Sequence, residues 1–96
     1  MATFSIETFQ KALRQPCTLH RTEGEPVASV LIEVTSLHES DDRSSKQFSV
    51  VWRGPAAPIL RQNIYTVEMP DGERHNLFLV PVGKDKEGIL YEAVFT

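Results

Sequence analysis

The sequence predicts a mainly β fold, about six antiparallel strands closed into a small barrel or tight sandwich and capped by one N-terminal α-helix. Three observations predict it. A helical spacing of apolar residues stops at Pro16 and gives way to alternation with a period of two. Turn clusters punctuate that alternation at Gly24-Glu25-Pro26, Gly54-Pro55, Pro70-Asp71-Gly72 and Gly83 to Gly88. No strand-helix-strand alternation appears, which argues against a parallel doubly wound sheet. The 96 residues are expected to form a single domain, with the helix in 1–15 and the barrel or sandwich in 17–96.

The helix is expected over Ile6 to Arg14. Ser5 is placed to cap the free N–H groups of its first turn, and Glu7 suits the positive end of the helix dipole. Phe4 and Phe9 have the spacing of a hydrophobic staple. Ile6, Phe9 and Leu13 share a face, and Pro16 ends the element because the residue before proline is pushed out of helical geometry. A helix this short is marginal alone, so its apolar stripe must dock as a lid on an end or face of the sheet.

Six strands follow. Cys17 to Thr22 is short, and Val27 to Leu37 is longer, with Val30, Ile32 and Val34 on one face and Leu31, Glu33 and Thr35 on the other. His38 to Lys46 is a polar loop with nothing to bury. Gln47 to Arg53 places Phe48, Val50 and Trp52 together, and Ile64 to Met69 does the same for Tyr65, Val67 and Met69. Asn76 to Val82 is apolar on both faces, and Ile89 to Phe95 closes the set. Pro81 donates no ladder hydrogen bond, so it belongs at an edge, a bulge or a non-bonded position. Closing six strands into a barrel also removes exposed edges.

The bulk properties exclude several function classes. A formal charge of −3 argues against nucleic acid, whose binders carry clustered basic surface. One cysteine, Cys17, forms no internal disulfide, so no oxidising compartment is implied. Apolar runs such as Leu77 to Val82 fall far short of the ~20 residues a membrane span needs. With Glu7, Lys11 and Arg14 interrupting the start, no signal peptide is read, and a cytoplasmic location is expected.

Residues that invite chemistry are few. Cys17 and His20 suggest a thiol–imidazole pair, but residues three apart in a strand point to opposite faces. His20, His38 and His75 lack zinc-like spacing to each other or to Cys17, and a buried apolar role suits the cysteine. Glu39, Asp41 and Asp42 lack the alternation and glycine of a calcium loop. Gly83-Lys84 lacks the earlier glycine and the following Ser or Thr of a phosphate loop, and no Gly-x-Ser-x-Gly elbow exists. Six aromatic residues, Phe48, Trp52, Tyr65, Phe78, Tyr91 and Phe95, are read mainly as core. Arg53, beside Trp52 and before Gly54-Pro55, is the candidate structural cation or rim contact. No catalytic, metal-ligating or cofactor-binding residue is assigned.

Phe48-Ser49-Val50-Val51-Trp52-Arg53-Gly54-Pro55, Leu60-Arg61-Gln62-Asn63-Ile64-Tyr65, Leu77-Phe78-Leu79-Val80-Pro81-Val82-Gly83 and Tyr91-Glu92-Ala93-Val94-Phe95 carry a resemblance. Together they resemble a family of short bacterial proteins described only as a domain of unknown function, over the whole chain. Asn63 departs from a glycine in that pattern, Met69 from a histidine and Thr96 from an asparagine. Genes of the family often lie near those of phage-tail-collar-like proteins, which implies an accessory or structural role in a tail-derived particle.

The expected function is therefore a non-enzymatic protein-interaction or structural module without cofactors. Its partner is a larger protein or a second copy, with Leu77, Leu79, Pro81 and Arg53 as the candidate interface. One alternative is a ligand-binding or enzymatic barrel with a mouth pocket near His20 or Cys17. A nucleic-acid-binding barrel is the other; it needs a basic patch gathering Arg14, Arg21, Arg43 and Arg61.

Overall fold

The computed structural model describes residues 6–36 and 47–95. The Ser5 cap, the Phe4 staple, the His38 to Lys46 loop and Arg43 lie outside them. Helix α1, Ile6–Gln10, is shorter than the apolar spacing predicts. Beyond Gln10 the chain tightens into three-residue turns, with Ala12 N–H donating to the Phe9 carbonyl and Gln15 N–H to that of Ala12. Arg14 then takes a left-handed φ of 67°. Its N–H donates to the Leu31 carbonyl at 2.6 Å, which commits the chain to the sheet before Pro16. Phe9 and Ala12 are buried, Ile6 packs against the core, and Leu13 is exposed, contrary to its expected place on the docking stripe.

All six strands form: β1 (Pro16–His20), β2 (Val27–Ser36), β3 (Phe48–Gly54), β4 (Asn63–Glu68), β5 (Arg74–Asp85) and β6 (Gly88–Phe95). They close an antiparallel barrel in the order β1-β2-β3-β6-β5-β4, with β4 returning to β1. Each strand is therefore paired on both sides. Two three-stranded meanders make up the ring, and the chain crosses one end of the barrel between β3 and β4. Pro70-Asp71-Gly72 forms the expected tight turn, where Gly72 has φ 93° and Asp71 Oδ1 accepts from the Glu73 N–H.

Alternation sends Phe48, Val50 and Trp52 inward on β3, Tyr65 and Val67 on β4, with Met69 just beyond β4 also buried, and Ile89, Tyr91 and Ala93 on β6. In β2 the register shifts between Leu31 and Glu33, a bulge that inserts one residue. Val27, Ser29 and Leu31 point inward before the bulge, and Val34 packs on the core after it. Leu31 is thus fully buried and Val30 exposed, the reverse of the faces the unbroken alternation predicts. A second bulge, between Pro81 and Gly83, accommodates the proline in a strand that is not an edge. The charged segment after Gly83 is mostly strand: β5 runs to Asp85, and only Lys86 and Glu87 make the turn.

The two ends of the barrel are closed differently. At one, Phe9 of α1 meets Trp52 edge-on, ring centroids 6.0 Å apart, and packs against the stacked rings of Phe48 and Phe95. At the other, the β3–β4 crossing drops Leu60 into the core, and the Tyr91 hydroxyl accepts its N–H at 2.8 Å. That hydrogen bond satisfies a buried donor the crossing would otherwise leave unpaired. A filled interior results.

Candidate functional site: the outer barrel face and its ends

The residues singled out for chemistry are dispersed. Cys17 is buried and His20 points out of the barrel, as strand geometry requires of residues three apart. Burial pushes the Cys17 thiol up, against a smaller downward pull from the Trp52 indole N–H. Trp52 Nε1 is itself buried without a hydrogen-bond partner among the described residues. Such a thiol is the opposite of an activated nucleophile.

His20 Nε2 lies 2.8 Å from Glu68 Oε1, and Arg74 Nη2 lies 3.3 Å from the same oxygen. The His20 hydrogen bond, with Arg74 beside it, holds the Glu68 carboxyl below the usual range. This network ties β1, β4 and β5 together on the outside of the barrel. His75 Nε2 is 3.7 Å from Glu73 Oε1, and His38 lies outside the described residues. Among the described residues no three His, Cys, Asp or Glu side chains gather as a metal site.

Arg53 is a structural cation. Its Nε and Nη2 donate to Asp85 Oδ2 at 2.9 and 2.6 Å, and Nη1 lies 3.1 Å from Glu87. Asp85 Oδ1 meanwhile accepts from the N–H groups of Glu87 and Gly88. One carboxylate thereby joins β3 to the β5–β6 turn, and the Arg53 hydrogen bonds hold its carboxyl below the usual range.

Leu77 and Leu79, expected at an interface, line the barrel interior instead. Both faces of β5 are apolar, and closure of the ring selects this one for the core. Pro81 is half-buried opposite Tyr91 at the bulge. The outward face carries Phe78, 53% exposed, where six aromatic residues were read mainly as core. Directly across from Phe78 on β4 stands Ile64, 61% exposed, and on β6 Val94 is 53% exposed. Between Phe78, Val80, Val94 and Phe95 runs a shallow groove of about 240 Å³. Sequence reasoning leaves either face of β5 open for the core, Leu77 with Leu79 or Phe78 with Val80 and Val82, and names Leu77 and Leu79 for the interface. The structure leaves the second set outside. Leu31 and Leu90 add nothing to this outer surface, since Leu31 is buried and Leu90 half-buried.

Clefts lie at both ends. One of about 240 Å³ separates α1 from the β4–β5 turn, between Thr8, Lys11, Met69 and Glu73. The other, about 670 Å³, opens beside the β3–β4 crossing and is lined by Arg21, Arg61, Ile59 and Tyr65 among others. No described helix is long and apolar enough to cross a membrane.

A closed six-stranded antiparallel barrel with a short helix inserted at one end defines the class of this protein. Residues 4–95 match the family described as Domain of unknown function (DUF6916), and the chain belongs to that family. No curated protein and no solved structure matches it.

Proposed function

We propose that the protein is a non-enzymatic interaction module that self-associates through the outside of β4, β5 and β6. The observation that carries this reading is the exposed row Ile64, Phe78 and Val94 on a barrel whose described strands are all paired. Three large apolar side chains side by side on a sheet face bury favourably against protein and unfavourably face water. A second copy is the occupant that the row's symmetry suits. Phe78 stands between two branched aliphatic residues, so a two-fold axis in the interface plane, beside Phe78 and perpendicular to the row, sets Ile64 of one copy against Val94 of the other. Each Phe78 ring then seats near the groove beside Val80 and Val94.

Contact is face to face, since a closed barrel offers no strand edge for pairing. The setting we propose is an accessory or structural role in a larger, phage-tail-related bacterial assembly built in the cytoplasm, as the family resemblance implies. Size-exclusion chromatography with light scattering tests the reading. A mass of two chains supports it, and a strict monomer at high concentration overturns it.

A further inference from the structure

The cleft beside the β3–β4 crossing is lined by two arginines, Arg21 and Arg61, and one carboxylate residue, Glu23. The chain is acidic overall, and Arg53 and Arg74 are both paired with carboxylates. Arg21 and Arg61, which line this cleft, have no carboxylate partner among the described residues. Arg21 is held in place nonetheless. Its Nε donates to the Glu25 carbonyl at 2.9 Å, and its guanidinium lies over Gly24, leaving no room for a Cβ there. Arg61 is fixed through its backbone, because the Tyr65 hydroxyl donates to its carbonyl. Asn63 adds an amide whose oxygen is committed to the Ile64 N–H, which leaves its NH₂ group as a donor. Ile59 and Ile64 supply exposed apolar walls.

Two arginines, one amide donor and an apolar flank line this open cleft of about 670 Å³. We infer that this cleft binds an oxyanion, a carboxylate or phosphate carried on a small ligand with an apolar portion, between Arg21 and Arg61. Guanidinium groups engage planar or tetrahedral oxyanions through paired N–H donors, and the apolar portion lies on Ile59 and Ile64. Glu23 also lines the cleft and makes no ion pair with either arginine, so it opposes the ligand rather than replacing it. The mouth pocket thus relies on Arg21, next to His20, while His20 itself is engaged with Glu68 outside. The inference rests on the cleft alone, which shares Ile64 with the proposed contact between copies.

The test is an NMR titration of the ¹⁵N-labelled full chain at low ionic strength, in the Phe78→Asp background so that any dimer contact is removed. The probes are inorganic phosphate, isovalerate and acetate, with chloride at matched ionic strength. Saturating shifts confined to the backbone amides around Arg21, Arg61 and Asn63, absent with chloride, are expected. Tighter binding of isovalerate than acetate assigns a carboxylate with an apolar tail; tighter binding of phosphate assigns a phosphate ester. Arg61→Gln, at an exposed position, should weaken binding by about tenfold or more with the spectrum otherwise intact. Glu23→Gln should tighten it. Shifts that do not saturate, that chloride reproduces, or that survive Arg61→Gln overturn the inference.

Discussion

Ile64 and Phe78 stand directly opposite each other in the β4–β5 ladder, and both side chains lie outside the barrel. A cross-strand apolar pair of this kind gains from its own contact but leaves its outer surface in water. Phe78→Asp should therefore abolish self-association and leave a folded monomer, destabilised by about 1 kcal/mol through the lost cross-strand contact and the poor strand propensity of Asp. Light scattering and a urea titration on the same preparation check both halves. A Phe78→Asp protein that remains dimeric would place the contact elsewhere.

Two strand glycines separate a close backbone approach from open space. A Cβ on Gly88 would sit 1.8 Å from the Gly54 carbonyl oxygen, whereas one on Gly83 would meet nothing within 4 Å. Gly88→Ala must push β3 and β6 apart and should cost about 3 kcal/mol or more; Gly83→Ala should stay within about 0.5 kcal/mol. Urea unfolding of the two variants measures the contrast, and equal stabilities would contradict the packing of Gly88 on Gly54.

Acid should weaken the fold through two carboxylates. Hydrogen bonds from Arg53 depress the Asp85 carboxyl, and His20 with Arg74 depresses that of Glu68. A depressed native value means the unfolded chain takes up the proton first as pH falls. The stabilisation is therefore complete above about pH 5, clear of the unfolded values, and is lost as pH drops through the native ones. Melting temperature should decline between pH 5 and about pH 2, and Asp85→Asn should flatten part of that decline. A variant with the wild-type slope would remove Asp85 from the account.

Cys17 should be unreactive while the protein is folded. Its thiol is buried and its pKa is raised by that burial. A disulfide reagent should label native protein slowly and urea-unfolded protein at once. Rapid labelling of the native state would show an accessible thiolate and reopen a chemical role for this residue.

Much of the fold is legible in the sequence because its signals are local. Six strands, the Pro70-Asp71-Gly72 turn and the burial of Trp52 all follow from alternation and turn chemistry within a few residues. The failures share a cause. A bulge between Leu31 and Glu33 reverses the phase of β2, and alternation alone carries no mark of it, so Leu31 and Val30 exchange faces. On β5 both faces are apolar, and period cannot choose between Leu77 with Leu79 and Phe78 with Val80. Ring closure makes that choice through pairing of β1 with β4, strands distant in sequence. Arg21 and Arg61 are brought to one cleft by the same closure, which no local pattern announces.

Contacts between copies test the central claim most directly. A mixed sample of ¹³C-labelled and unlabelled chains, examined by isotope-filtered NOE spectroscopy, reports only protons that meet across an interface. The account predicts cross-peaks from the Phe78 ring of one copy to the Val94 and Val80 methyls of the other, and from Ile64 to Val94. A sample with no intermolecular cross-peaks at millimolar concentration, or with cross-peaks confined to another surface, would contradict it.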